Sequence, residues 1–515
     1  MSRTSQPTTY HELVEEQRAY YASGITATLE HRMQQLSTLK KLLLDKSDIL
    51  TDAVYKDLKR LPKMTFLMEL STAIMEINYM TENLKKWSSV EYVQKTLLSC
   101  FDSTCIVKEP LGVVLIIAPW NYPLCLVLLP LIAAVAAGNT VIIKPSEYAP
   151  HTAAVCQDLF SQNFDSRFLA VVNGGIPQTT ELLKERFDHI FYTGGPSVAK
   201  IIMTAAAQYL TPVTLELGGK SPAIVEMDAD LEISARRIAW GKWTNCGQTC
   251  IAPDYIIVKE ALKPQLVNEL ILRLKEFYGS CVERSADYSR IINEMHFDRL
   301  STLLERSRGQ ILYMAGELNR SELFFPPVII AVSPDDVLME YELSFFSCYS
   351  LLEIVFIFGP ILPIVTISSF KESLKFICSK EKPLAAYLFT RSERKVKQLC
   401  SETSSGSVVI NDVAFQFVID TLPFGGIGQS GMGNYRGKFG FDTFTHHKAL
   451  LKRGYFSEFL NIVRYPPLTE KKFKQLRVLL ERRFALPNSL PHWLVNISFL
   501  FAGFIIAVLL QVCKF

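Results

Sequence analysis

The sequence predicts a doubly wound α/β fold on three observations: apolar runs of strand length, helix-period segments alternating with them, and Gly, Pro or Asn where one period gives way to the other. From Tyr10 to Trp87 the chain reads as helical, with apolar residues at three- and four-residue spacing and proline only at position 62. Val113 to Ala118 is a continuous apolar run stopped by Pro119, as expected of a parallel strand covered on both faces. A helix from Leu126 to Ala137 follows, Gly138 and Asn139 end it, and Thr140 to Ile143 completes a βαβ unit. The alternation continues through helix His151 to Asn163, strand Phe168 to Val172, helix Gln178 to Glu185, strand His189 to Thr193, helix Ser197 to Ala207 and strand Val213 to Leu217. Beyond a Gly-Gly turn come helix Ile233 to Trp243 and strand Tyr255 to Lys259. No internal repeat or low-complexity linker interrupts the chain.

Composition narrows the function. With 515 residues, 49% hydrophobic, the chain can bury a sizeable core and divide into two or three domains. Lys and Arg number 54 against 51 Asp and Glu, and a formal charge of +3 provides no extended basic surface. A small-molecule substrate is expected, and nucleic acid is not. The 11 cysteines lack the spacing of a disulfide framework and suit a reducing compartment. Residues up to Gly24 lack the apolar core of a secretory signal. At the other end, Trp493 to Val512 is an uncharged run of 20 residues, preceded by Lys471, Lys472, Lys474, Arg477, Arg482 and Arg483 and followed by Lys514 alone. That pattern reads as a transmembrane tail anchor with the bulk of the chain in the cytosol. Cys513 stands third from the end, so no prenylation box is present, and position 2 is not Gly, which excludes myristoylation.

Several residues could carry chemistry. Cys250 closes Asn245-Cys246-Gly247-Gln248-Thr249-Cys250, a polar stretch between a helix and a strand where nearby N–H groups could stabilise a thiolate. Two buried cysteines account for the spacing equally well. A metal is not expected, because no further Cys or His lies near in sequence and His446-His447 are chain neighbours. Glu216 ends an apolar strand at Gly218-Gly219, where desolvation would raise its pKa towards that of a neutral-pH base; a solvated strand-end carboxylate is the plainer alternative. Asn121, after Pro119-Trp120 at a strand's carboxyl end, could donate to an oxyanion or simply form a turn. Thr193-Gly194-Gly195-Pro196-Ser197 joins a strand to a helix whose free N–H groups could face a phosphate, although it is not the G-x-G-x-x-G fingerprint.

Taken together, these stretches resemble the aldehyde dehydrogenase family, in its class 3 branch, over about Tyr10 to Leu450. The resemblance rests on Pro119-Trp120-Asn121-Tyr122-Pro123, Ile143-Lys144-Pro145-Ser146-Glu147, Tyr192-Thr193-Gly194, Leu215-Glu216-Leu217-Gly218-Gly219-Lys220, Gly247-Gln248-Thr249-Cys250, Ile357-Phe358-Gly359-Pro360 and Leu422-Pro423-Phe424-Gly425-Gly426, in the family's order. It implies that Cys250 attacks the aldehyde, that Asn121 and the Cys250 N–H hold the oxyanion, and that Glu216 activates the water that hydrolyses the thioester. It further implies that Lys144 and Glu147 hold the adenosine ribose, favouring NAD over NADP, and that Thr193, Gly194, Ser197 and Phe358 line the rest of the cofactor's path. The implied architecture is a Rossmann-like cofactor domain (1–84 and 109–217), an α/β catalytic domain (218–420) and a small oligomerisation arm (85–108 and 421–455) supporting a homodimer. A basic linker (456–492) and the 493–512 anchor complete it. The tail is similar to that of branch members in the endoplasmic reticulum membrane that oxidise long-chain aldehydes. Long-chain aldehydes are therefore the expected substrates, with Tyr122, Phe415 and Phe417 as candidates to line an apolar funnel.

The chain also departs from that resemblance. After Met339-Glu340 an apolar stretch, 341–356, has no family counterpart, and Phe356 stands where an acidic residue would grip the nicotinamide ribose. Glu340, Glu342 or Glu353 could replace that residue only if the stretch loops out. Impaired cofactor positioning is the expected consequence. Two alternatives to a working dehydrogenase follow: a membrane-tethered dimer with a regulatory or interaction role, or an esterase using the same thiol. A second departure, Ala199 in place of a glycine after the phosphate turn, should weaken cofactor binding only modestly.

Overall fold

The computed structural model describes residues 9–340, 356–455, 458–482 and 485. Contacts divide the chain into two units, one drawn from Met1–Trp87 and Pro110–Thr445, the other from Ser88–Glu109 and His446–Phe515.

The first unit holds two mostly parallel sheets. In the six-stranded sheet the order is Gly431–Met432, Val213–Glu216, His189–Thr193, Val113–Ile117, Thr140–Lys144 and Leu169–Val171, with only the Gly431 edge antiparallel. The strand order reverses between Val113–Ile117 and His189–Thr193, so a crevice opens beyond their carboxyl ends, where open α/β sheets bind ligands. Alternate residues explain the two-sided cover: Val113, Leu115 and Ile117 join one buried cluster, while Val114 and Ile116 join the other. Each such side chain contributes about 1.5–3 kcal/mol on burial.

The predicted helix after the first strand spans Cys125–Ala137, and all its residues are buried. Having no capping side chain of its own, it is capped by Glu69, whose Oε2 accepts from the N–H groups of Leu124 and Cys125, both at 2.8 Å. Its other end stops at Gly138 (φ 98°), where an added Cβ would lie 2.8 Å from Nε of Arg32. The helix expected from Ser197 starts one residue earlier, at Pro196, whose fixed φ suits a first helical position. The helix expected at Gln178 to Glu185 spans Ile176–Leu182, because Pro177 likewise favours its first turn.

The seven-stranded sheet runs Gln310–Met314, Val328–Val332, Ile361–Thr366, Tyr255–Val258, Pro222–Val225, Ala385–Phe389 and Ser407–Ile410, with its Gln310 edge antiparallel. Helix Leu231–Trp243, capped by Asp230 through Ile233 N–H at 3.1 Å, leads from this sheet into the loop that carries Cys250.

The second unit contains a three-stranded sheet ordered Glu91–Tyr92, Ser103–Pro110, Thr445–Lys452, in which the last strand is exposed along nearly its whole length. Its helix Glu470–Glu481 is capped by Thr469 and presents Phe473, Val478 and Leu480 to solvent. Among the described residues no helix is long and apolar enough to cross a membrane. The segment 493–512 expected to do so lies outside them, as do residues 341–355 of the departing stretch.

Candidate active site

Three connections bring the site together. The first is the turn after strand Val113–Ile117. Asn121 is buried, and its carbonyl accepts from Arg60 Nη1 at 3.2 Å and from Asn245 Nδ2 at 2.9 Å. Its own Nδ2 donates to the Gln248 carbonyl at 3.1 Å, leaving that amide one further N–H. The Tyr122 hydroxyl meets Thr249 Oγ1 at 2.9 Å, beneath the Arg60 guanidinium 4.8 Å from its ring. Arg60 is in turn paired with the buried Glu69 that caps the following helix. The Asn121 turn and the Cys250 loop are thus clasped side by side.

The second connection is that loop. Asn245, Cys246 and Gly247 all have positive φ (54°, 55° and 73°), a conformation costly for the two non-glycine residues. Gly247 has no alternative, because an added Cβ would lie 2.2 Å from the Gly359 carbonyl oxygen. Gln248 ties the loop down from both ends of its amide: Nε2 donates to the Asn245 and Arg290 carbonyls (3.1 and 2.9 Å), and Oε1 accepts from Ile292 N–H at 3.0 Å. Cys250 keeps part of its surface exposed, while Cys246 is fully buried with its thiol directed at the Tyr288 hydroxyl, 3.3 Å away. Both cysteines are free thiols. Burial, and then the Glu216 carboxylate, push the Cys250 thiol up to about 12, opposed by the N–H groups of Cys250 and Ile251.

The third connection is the end of strand Val213–Glu216. Glu216 is 2% exposed and its carboxylate oxygens have no hydrogen-bond partner among the described residues. Burial alone holds its pKa well above the ordinary carboxylate range. Its carbonyl accepts from Gly194 N–H at 3.0 Å, which joins it to the predicted phosphate turn. In that turn Gly195 caps helix Pro196–Ala207 without a side-chain bond, Ser197 is the second helical residue, and the buried Thr193 Oγ1 has no partner among the described residues. Ala199 faces the core. Lys144, at the end of strand Thr140–Lys144, pairs with Glu147 at 3.1 Å and with the Pro145 carbonyl at 2.7 Å. The partner-free Thr193 hydroxyl and the uncapped helix start suit the phosphates of a dinucleotide lying over the turn.

Between these parts lies a narrow cavity of about 10 Å³ walled by Gly218, Gly219, Gly247, Thr249, Cys250, Ala252, Asp254, Phe356 and Phe358. Phe358 (φ 43°) meets Trp120 edge-on at 5.3 Å. Of the aromatic residues expected to line a funnel, Tyr122 reaches the Cys250 loop, Phe417 packs on Phe424 at 4.8 Å, and Phe415 is largely exposed. Arg60, Glu69, Asn245 and Gln248 escaped the sequence reading. Most of their partners lie far along the chain, where no local pattern records them. Among the described residues no cluster suits a metal ion.

A cysteine thiol, a desolvated carboxylate and an amide donor at the carboxyl end of a nucleotide-binding type of sheet define a thiol-dependent dehydrogenase fold. The Aldehyde dehydrogenase family profile matches residues 3–450, and the chain belongs to that family; it is an aldehyde dehydrogenase. It is 45% identical to mouse aldehyde dehydrogenase family 3 member A2 over 91% of this chain and 93% of that protein. It is 43% identical to the rat aldehyde dehydrogenase named dimeric and NADP-preferring, over 89% of this chain and 98% of that one. The structure of substrate-bound AldH from Staphylococcus aureus superposes with a TM-score of 0.86 at 38% identity, covering 92% of this chain and all of that one.

Proposed function

We propose that this protein oxidises long-chain aldehydes to carboxylic acids with NAD at a membrane surface, through a thiohemiacetal and then a thioester on Cys250. The observation that carries this reading is the convergence of the Cys250 loop, the Asn121 clasp and the partner-free Glu216 carboxylate. The Cys250 thiol loses its proton to the Glu216 carboxylate, which releases it to solvent, as Sγ bonds to the carbonyl carbon, and the developing oxyanion is held by the Cys250 N–H and the remaining N–H of Asn121. A bound nicotinamide would supply the acceptor for the hydride on that carbon. Glu216, kept basic by its burial, takes a proton from the water that opens the thioester, and the Cys250 thiol leaves. Lys144 and Glu147 are assigned to the adenosine ribose, where the carboxylate would repel a 2′-phosphate and so favour NAD. Thr193, Gly194 and Ser197 are assigned to the pyrophosphate and Phe358 to the nicotinamide side.

Apolar substrates are supported by a second groove, of about 180 Å³, whose walls include Met64, Trp240 and Phe277 and which backs onto Arg60 and Asn245 of the clasp. Membrane attachment is supported by the uncharged run 493–512 after a basic segment, read as a tail anchor in the endoplasmic reticulum with the catalytic part facing the cytosol. A homodimer is supported by the exposed edge strand Thr445–Lys452 and by the dimeric rat relative. Residues 1–84 with 109–217 then form the cofactor domain, 218–420 the catalytic domain and 85–108 with 421–455 the arm. NADH formation from hexadecanal by the full chain in detergent, beside Cys250→Ala, tests the reading; turnover that survives the substitution overturns it.

The phenylalanine pair around the Cys250 cavity favours a second reading, in which the thiol cleaves esters without hydride transfer. Ester cleavage independent of NAD, with no aldehyde oxidation, would select it.

A further inference from the structure

We propose that Arg60 is a positioning residue for the reaction: its guanidinium fixes the turn that carries Asn121 and so aims the free N–H of that side chain at the oxyanion. The inference rests on the thiohemiacetal reading above and concerns what holds its oxyanion donor in place. Asn121 Nδ2 gives one N–H to the Gln248 carbonyl at 3.1 Å, so the direction of the other follows from where the turn sets the amide plane. Such a donor must stand about 2.7–3.1 Å from the developing oxyanion, and a misplacement of about 1 Å can lower the rate about a hundredfold.

Arg60 reaches that turn from another part of the chain. It lies just beyond helix Ser47–Leu58, whose last carbonyl accepts from Arg290 N–H at 2.9 Å. Its nitrogens take separate partners: Nε donates to Thr65 Oγ1 at 3.2 Å, Nη1 to the Asn121 carbonyl at 3.2 Å, and Nη2 pairs with Glu69. The guanidinium carbon stands 4.8 Å from the centre of the Tyr122 ring. Glu69 grips the far end of the same turn through the Leu124 and Cys125 N–H groups, both at 2.8 Å. One side chain therefore acts on Asn121 and Tyr122 directly, and on Leu124 and Cys125 through its partner.

The chemistry of the residue supports a role beyond filling space. Burial, the largest influence on Arg60, lowers its pKa to about 10, so it is still a cation at neutral pH in a site almost without solvent. A buried ion pair is a weak source of stability, because desolvation offsets much of the attraction. What a guanidinium supplies here, and an apolar side chain would not, is a planar fork with donors fixed in several directions. Lysine keeps the charge but has a single nitrogen, which cannot serve Thr65, Asn121 and Glu69 at once from one such fork.

The test is hydrolysis of 4-nitrophenyl acetate by the full chain in detergent. That reaction acylates Cys250 with release of 4-nitrophenolate, opens the thioester with water, passes the same oxyanion site and needs no NAD. The kcat and KM are measured for wild type, Arg60→Lys, Asn121→Ala and the double variant, with Cys250→Ala as the blank and thermal unfolding of each recorded. The expected result is a kcat at least about tenfold lower in Arg60→Lys with KM little changed, and no further fall, within about twofold, when the substitution is added to Asn121→Ala. A merely structural role would lower kcat by the same factor in both backgrounds, and that outcome overturns the proposal. So does a kcat for Arg60→Lys equal to wild type. Arg60→Met combined with Glu69→Gln, which leaves no buried charge without its partner, carries the same comparison if Arg60→Lys does not fold. Ester cleavage that survives Cys250→Ala, or a kcat that Asn121→Ala leaves unchanged, overturns the oxyanion reading and the proposal with it.

Discussion

Asn121 and Glu216 sit at the carboxyl ends of strands in one sheet and are treated oppositely by their surroundings. The Asn121 turn is held by Arg60, Asn245 and Gln248, with the buried Glu69 behind them, whereas both Glu216 oxygens are buried without a partner among the described residues. Under the reading proposed above, the group assigned to hold the oxyanion is saturated with bonds, and the group assigned to exchange a proton is left unsatisfied. The cost of leaving it so, in the range of 1–3 kcal/mol or more for a buried charged group, is carried by the packed sheets around it.

Substitutions can break this contrast. Cys250→Ala should abolish NADH formation, a loss of at least about a thousandfold measured by absorbance, because no other group there forms the covalent bond. Asn121→Ala should lower turnover by about 10²–10³ and also lower stability by about 0.5–1.5 kcal/mol, since the amide removed bonds the Gln248 carbonyl. Glu69→Gln acts on the clasp. Leaving Arg60 buried without its carboxylate should destabilise the protein by about 3–5 kcal/mol in denaturant unfolding. Glu216→Gln sharpens the contrast through pH. The Cys250 thiol is raised to about 12, first by burial and then by Glu216, so alkylation by iodoacetamide should keep rising about tenfold per pH unit beyond the ordinary thiol range near 8.5. Removing the Glu216 charge lowers that pKa, and alkylation at pH 8 should become faster. The smallest effect is expected from Thr193→Val, a few-fold weaker NAD binding through loss of one hydroxyl partner.

The fold was legible where the chain's own periodicity decides the structure. Strands Val113–Ile117 and His189–Thr193 lie where the apolar runs predicted them, and the helices at 176–182 and 196–207 differ only at their ends, where Pro177 and Pro196 pull the start forward. Cys250, Glu216 and Asn121 stood out as candidates only through their motifs taken together, each of which would have been ordinary alone. Arg60 and Glu69 were not, because their roles depend on contacts 61 and 55 residues away along the chain, which no local pattern records. Phe356 stood out as a departure, but that its ring lies on Gly218 required the coordinates.

Helix Cys125–Ala137 has a consequence for assembly. Its amino end is satisfied by Glu69, its carboxyl end abuts Arg32, and Asn139 just beyond bonds the Phe444 carbonyl, 305 residues away. A segment so apolar has no stable solvated form of its own and is safe from self-association only once distant parts of the chain arrive. The turn that positions Asn121 immediately precedes it, so the surroundings of that turn are set by residues as far away as Phe444, and a substitution there would be felt at the candidate site without touching it.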